Sequence, residues 1–191
     1  MQLLFDNITR HISLSDEERN VISSYWIIKH LNRGEHLLEE GSICRYDAFV
    51  LDGSLKGYIV DPLTGKEDIV FLAIAGWWAS DLASFHNQDA SSLTITAISP
   101  TTVALISRSS FDELLEKLPK LEKYFRIILQ NHATALLQRI YFRNAHDAKS
   151  RYRTFLQKYP SLNEQIPQYL IASYLGISAE MLSKIRAQKD L

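Results

Sequence analysis

The 191-residue chain contains one cysteine, Cys44. One thiol closes no disulfide and cannot alone ligate a zinc ion or an iron–sulfur cluster, so both frameworks are excluded within one chain. Cys44 is expected to be a buried or incidental thiol. The six histidines (His11, His30, His36, His86, His132 and His146) are scattered. None forms the His-x-His pair, with a nearby glutamate and a later histidine, that a cupin-type metalloenzyme needs. No metal site, catalytic residue or enzymatic activity is therefore expected. Long apolar runs are also missing, and none approaches the length of a membrane span. Asp6, Arg10, Asp16, Glu17 and Glu18 near the N-terminus leave no apolar core for a signal peptide. The expectation is a cytoplasmic protein without a membrane partner.

Cations are missing from one long stretch. No lysine or arginine occurs from Glu67 through Ser107, whereas Glu67, Asp68, Asp81 and Asp89 do. The net charge of -1 hides a second asymmetry: from Arg143 onward eight Lys or Arg stand against four acids, so that segment is +4 and the remainder -5. A basic segment on an acidic body fits a local nucleic-acid surface, and it also fits a merely solvated face.

What is present describes an ordinary globular chain, 46% hydrophobic and 23% charged. Residues 1 to about 24 read as a helical lead-in, with Ser15 and Glu18 as a capping pattern. Short β runs follow at about 26–31, 36–38, 48–51, 55–60, 68–73, 93–98 and 102–106. Glycines and the Asp61-Pro62-Leu63-Thr64-Gly65 turn separate them. Such spacing predicts an antiparallel barrel or jelly roll in an α+β protein. Ser110 with Glu113 predicts a helix opening at Phe111, interrupted near Pro119.

The longest helical pattern runs from Lys120 to about Asn144. It carries two adjacent apolar stripes, Leu121, Phe125, Ile128 and Ala135 beside Leu129, Leu136 and Ile140. Two stripes suit two partners, the barrel and the same helix of a second subunit; a single wide stripe buried in a monomer is the alternative. The dimer-helix candidates are Leu121, Phe125, Ile128, Leu129, His132 and Leu136. His146-Asp147 then reads as a hinge and cap before another amphipathic helix that Tyr159-Pro160 closes. The predicted division is 1–118, 119–145 and 146–191.

Near the end, Pro167 suits the first turn of a helix, and Leu170, Ile171 and Leu175 share one face. Gly176 suits its end. Ser178 can cap a second helix, whose Met181, Leu182 and Ile185 pack back across the small Ala172. The other face leaves Ala179, Glu180, Ser183, Lys184 and Arg186, short polar groups and two cations of the kind that enter a major groove. The pattern reads as a DNA-binding helix-turn-helix, and a plain helical hairpin is the less specific alternative.

The order β-roll, long helix, helix-turn-helix resembles the Crp/Fnr family of transcription regulators, whose sensory part is a cyclic-nucleotide-binding domain. Leu31-Asn32-Arg33-Gly34-Glu35, Glu40-Gly41 and Phe49-Val50-Leu51-Asp52-Gly53-Ser54-Leu55-Lys56 look like the family's three-glycine barrel signature. The resemblance implies a homodimer joined through the long helix, bound to a pseudo-palindromic operator, with RNA polymerase among the implied partners. It also implies that Gln168, Tyr169 and Ser178 approach phosphates, that Ala179, Glu180, Ser183 and Lys184 meet base edges, and that Arg186 meets either.

Two departures follow. In cyclic-AMP-binding members a Gly-Glu pair before a short helix and an arginine-containing pair hold the ribose and cyclic phosphate. The matching residues here are Asp81 and Ser91-Ser92, beside Trp77 and Trp78, which line a pocket or fill the core. Without the arginine a desolvated phosphate lacks its cationic cradle, so no cyclic-nucleotide cofactor is expected and any other effector is unspecified. Secondly, after Arg186 only Ala187-Gln188-Lys189-Asp190-Leu191 remain, too few for the wing that follows the recognition helix in many relatives. The reading is a dimeric, sequence-specific transcription regulator; the alternative is a ligand-sensing or protein-interaction module that binds no DNA.

Overall fold

A computed structural model describes residues 1–188. Two lead-in helices, α1 (Gln2–Thr9) and α2 (Asp16–Ser24), precede the strands. The capping box on α2 is complete, since the Ser15 hydroxyl accepts from the Glu18 amide and the Glu18 carboxylate from the Ser15 amide. Leu4, Phe5 and Ile8 of α1 and Ile22 of α2 are buried against the strands. The seven strands are β1 (Ile27–Leu31), β2 (His36–Leu38), β3 (Tyr46–Asp52), β4 (Ser54–Val60), β5 (Glu67–Ile74), β6 (Thr94–Ala97) and β7 (Thr101–Ser107). They form two antiparallel sheets, ordered β1-β7-β3 and β2-β6-β4-β5. Phe49, Val50, Leu55, Ile95, Val103 and Ile106 are all buried in the apolar core of the roll. The fold is thus an α+β protein built on an antiparallel β-roll.

Gly53 sits at the β3–β4 corner with φ +83°, and a β-carbon there would lie 2.3 Å from the Pro100 carbonyl oxygen. Both the backbone angle and the neighbouring strand therefore demand glycine. Gly34 shares the positive φ but faces open space.

Helix α3 (Leu82–Asn87) crosses between β5 and β6. Strand β7 runs directly into α4 (Arg108–Lys117). The expected cap at Ser110 is corrected here: the hydroxyl of Ser107 accepts from the Ser110 amide, which starts the helix three residues earlier. Helix α5 (Lys120–Ala145) follows, and the Asp147 carboxylate then caps α6 (Ala148–Lys158) by accepting from the Ser150 amide. Helix α6 ends at Lys158, before Tyr159 and Pro160 as expected, but Pro160 also opens a further short helix, α7 (Pro160–Gln165), that was not expected; proline suits a first helical turn as well as a stop. The chain ends in α8 (Gln168–Leu175) and α9 (Ala179–Arg186). Pro167 stands at the cap of α8, one position outside the helix. The expectation about a wing rests on residues 187–191, of which 189–191 lie outside the described residues.

Helices α6 to α9 build a second apolar cluster, and the β-roll contributes to it. Tyr58, Ile69, Leu72 and Ile74 of β4 and β5 are buried with Tyr152, Phe155, Leu162, Ile166, Leu170, Ile171 and Leu182. A bulge makes this possible. Gly57 pairs with Phe71 and Tyr58 with Ile69, so Val70 is skipped, and the parity of β5 changes across it. Ile69, Leu72 and Ile74 consequently join the helical cluster, while Phe71 and Ala73 belong to the roll core. Strand β5 is also the sheet edge. Its open backbone groups are covered by the helices: the Ile69 amide donates to the Ser173 hydroxyl (3.1 Å), which donates to the Glu67 carbonyl (3.3 Å), and Arg139 donates to the Val70 carbonyl.

Two outcomes follow for stability. Gly53→Ala should lose about 1–3 kcal/mol or more in urea unfolding through backbone strain and the clash with Pro100, whereas Gly34→Ala should lose only about 1–2 kcal/mol. The Asp47 carboxyl on β3 is fully buried, and burial raises its pKa to about 6 despite hydrogen bonds from Ser80 and the Ala48 amide. Its folded pKa exceeds its unfolded one, so the stabilisation is present below pH ~4 and is lost as pH rises to about 6, on the order of 3 kcal/mol in all. Asp47→Asn should flatten this descent in a pH series of denaturant melts.

Candidate functional site

Three regions of the molecule hold chemistry. The first is the pair α8–α9. Helix α8 ends where the Gly176 amide donates to the Ser173 carbonyl and the Ile177 amide to that of Ala172, with Gly176 at φ +67°. This double closure orients the three-residue turn. Arg151 of α6 braces it from behind by donating to the Leu175 carbonyl at 3.0 Å. The Ser178 hydroxyl caps α9 by accepting from the Met181 amide. Leu182 and Ile185 face inward onto Leu170, Ile171 and Ala172. Met181, expected among them, is exposed.

This packing turns a polar face to solvent. Ser178, Ala179, Glu180, Ser183, Lys184 and Arg186 are all exposed, as is Tyr169 on α8. Gln168 departs from its expected role at a phosphate: it is half-buried, and its Nε2 donates toward the Asn163 carbonyl and side chain at 3.3 Å. Among the described residues no strand follows α9.

The second region is the segment joining β5 to β6. Asp81 caps α3, accepting from the amides of Ala83 and Ser84 at 3.1 and 3.2 Å. Its other oxygen accepts from the Ser91 hydroxyl at 2.8 Å, and Ser91 in turn accepts from the Leu93 amide. Asp81 and Ser91 are thus brought together, but they satisfy each other. Ser92 is exposed. Trp78 belongs to the core, tilted or edge-on to Trp26, Phe49 and Phe125, with its indole donating to the Tyr124 hydroxyl at 3.2 Å. Tyr124 donates to Asn7, whose amide donates to the Gly76 carbonyl. Burial raises the Tyr124 pKa well above the ordinary phenol range, so it serves as a fixed neutral relay between α1, α5 and this segment. Trp77 packs on both apolar clusters and meets Tyr159 edge-on at 5.6 Å. Nearby, Cys44 is buried and its thiol is pushed up to about 11, which keeps it unreactive near neutral pH.

The third region is α5 and the cleft beside it. Of the six dimer-helix candidates, Leu121 is buried in its own roll, and Phe125 and Ile128 pack half-buried on the same core. Their stripe is consumed within the monomer. Leu129, His132 and Leu136 face solvent, joined by Leu137, Ile140 and Tyr141. On the other side of its second half, α5 walls an open cleft of about 1060 Å³ against β5, α6, α8 and the turn before α9. Arg139, Arg143, Arg151 and Lys158 all line it. No reading of the sequence singled out this group, although the i, i+4 placement of Arg139 and Arg143 puts them on one helix face.

Residues 28–118 match the family described as "Cyclic nucleotide-binding domain". No curated protein matches the chain. Among solved structures, FixK2 from Bradyrhizobium japonicum is similar at TM-score 0.73 and 17% identity, covering 85% of this chain and 83% of that one. The c-di-GMP-responsive global regulator CLP of Xanthomonas campestris is similar at 0.70 and 13%, covering 90% and 89%. A CooA variant from Carboxydothermus hydrogenoformans gives 0.68 and 16%, covering 94% and 81%. At such identities the likeness is one of fold. Residues 28–118 thus resemble a cyclic nucleotide-binding domain, and the chain as a whole shares the fold of FixK2, CLP and CooA.

Proposed function

We propose that this chain is a transcription regulator that binds DNA as a homodimer. The observation that carries the reading is the braced helix-turn-helix, whose α9 buries Leu182 and Ile185 while leaving Ala179, Glu180, Ser183, Lys184 and Arg186 in solvent. That division is what a helix entering a major groove requires. Glu180 and Lys184 stand one turn apart on the free face, with Ser183 beside them, and can read base edges. Tyr169 and Ser178 can approach phosphates, and Arg186 can meet either. The contribution of Gln168 is indirect, through its hold on Asn163. The groove-facing surface itself needs no cofactor or catalytic group.

The exposed apolar face of α5 supports the dimer. Leu129, Leu136, Leu137, Ile140 and Tyr141 leave a large hydrophobic strip uncovered on a 26-residue helix, and a second copy of that helix would bury it. Two-fold symmetry through α5 then implies a pseudo-palindromic operator with half-sites about one DNA turn apart. A cytoplasmic location suits such a role; among the described residues no helix is long and apolar enough to cross a membrane. Contact with RNA polymerase belongs to the same proposal.

The roll's own pocket is degenerate in this reading. Asp81 is occupied as a helix cap and by Ser91, and no arginine stands within the segment to neutralise a phosphate. Cyclic AMP has no cationic cradle there.

Three experiments test these statements. Selection of genomic fragments by the full-length protein at about 150 mM salt, where non-specific binding is weak, should recover a palindromic motif. Lys184→Glu should then weaken binding to that motif by about 1–3 kcal/mol in a mobility-shift titration; equal affinity would remove Lys184 from the interface. Titration calorimetry with cyclic AMP should show no micromolar binding, and a micromolar isotherm would refute the degenerate pocket.

A further inference from the structure

The cleft between α5, β5 and the helix-turn-helix concentrates positive charge without an internal counter-charge. Arg139, Arg143, Arg151 and Lys158 converge there, and none of them is in an ion pair among the described residues. The two acids on the opposite wall are committed elsewhere, Glu67 to Lys56 and Asp68 to Lys66. A β-carbon added to Gly176 would lie 3.5 Å from the Arg143 Nε and 3.8 Å from the Arg151 Nη1. Two guanidinium groups thus crowd one glycine at the mouth of the turn. Arg151 spends one donor on the Leu175 carbonyl, while its Nε is buried and unpartnered. An unpaired donor in such a position has a standing preference for an anion.

The cleft also offers flat apolar surface. Arg139 lies over the Tyr174 ring at 4.7 Å from its centroid and Lys158 over the Tyr159 ring at 5.3 Å, with Phe142 alongside. Cations lying over these half-buried rings make an aromatic wall against which a further planar group can lie. The volume, about 1060 Å³, suits a small organic molecule, whereas a duplex could not enter between α5 and the sheet edge.

We infer that this cleft is an effector site for a small organic anion bearing a planar ring, such as a nucleotide 5′-phosphate or an aromatic carboxylate, held by Arg143, Arg151 and Arg139. This places the sensor outside the roll, where Asp81 is already engaged by Ser91. Its regulatory consequence rests on the DNA-binding reading above; the binding itself does not. Arg139 supplies the link: the guanidinium that would meet the ligand also holds the bulged Val70 carbonyl and stacks on Tyr174 of α8. An anion that redirects Arg139 alters the seating of the helix-turn-helix on β5.

The test is titration calorimetry of the full-length protein with guanosine 5′-monophosphate, salicylate and inorganic pyrophosphate. A nucleotide isotherm or a salicylate isotherm identifies which source of ringed anion fits, and either should exceed pyrophosphate in affinity. Arg143 is exposed, so the Arg143→Glu variant should fold, as a circular-dichroism melt would verify. It should weaken binding of the ringed anion by at least about tenfold. Lys123→Glu, an equal charge change on α5 outside the cleft, should leave it unchanged. The inference is overturned if neither ringed anion binds, if pyrophosphate binds equally well, or if Arg143→Glu and Lys123→Glu act alike. It is also overturned if Arg143→Glu spares every isotherm and instead lowers DNA affinity in the absence of ligand, which would make the cluster a DNA-phosphate contact. Mobility shift of the wild-type protein on its selected DNA separates this failure from failure of the DNA-binding reading.

Discussion

The open edge of β5 is the constraint on which the arrangement of this molecule depends. An edge strand presents amides and carbonyls that must find partners, and here they find them in side chains of the C-terminal helices. Ser173 closes the Ile69 amide and the Glu67 carbonyl, and Arg139 closes the carbonyl that the Val70 bulge leaves over. The same bulge turns Ile69, Leu72 and Ile74 outward and gives α8 an apolar bed. Polar closure sets the register of the helices on the strand, and apolar burial holds them there. Neither suffices alone, since hydrophobic contact is non-directional and single hydrogen bonds contribute only about 1 kcal/mol net.

The joining segment between β5 and β6 is held together by its own polar groups. The lone pairs of Asp81 are taken by two amides at the start of α3 and by the Ser91 hydroxyl, so this carboxylate holds a helix. Trp78 and Tyr124 then fill the core behind it, connecting this segment to α1 and to the root of α5.

Much of this was legible in the residues. All seven strands appear where alternation and turn residues put them, because those signals are local and the pleat enforces them. The helix-turn-helix was legible for the same reason, in Gly176, Ser178 and the spacing of Leu182 and Ile185. The misses have physical causes. Ser107 outcompeted Ser110 as a cap because β7 delivers the chain to the helix without a loop. Helix α7 was hidden by Pro160, which serves a start as readily as a stop. Met181 followed the helical period, yet α9 buries only Leu182 and Ile185 of that set and leaves Met181 exposed. The cationic cleft was not legible at all. Arg139 and Arg143 come from one helix, Arg151 and Lys158 from another, and only the docking on β5 brings them to one space. The two stripes of α5 were read as facing two neighbours, one of them the roll, but Leu121, Phe125 and Ile128 were also counted among the dimer-helix residues, whereas they pack on their own roll.

Trp77 sits where the two apolar clusters meet, touching the roll core on one side and Tyr159 of the helical cluster on the other. The roll also lends four buried side chains to the helical cluster through β4 and β5. The C-terminal helices therefore possess no complete core of their own. A helical module that borrows part of its core from the roll is expected to melt together with it in a single cooperative transition.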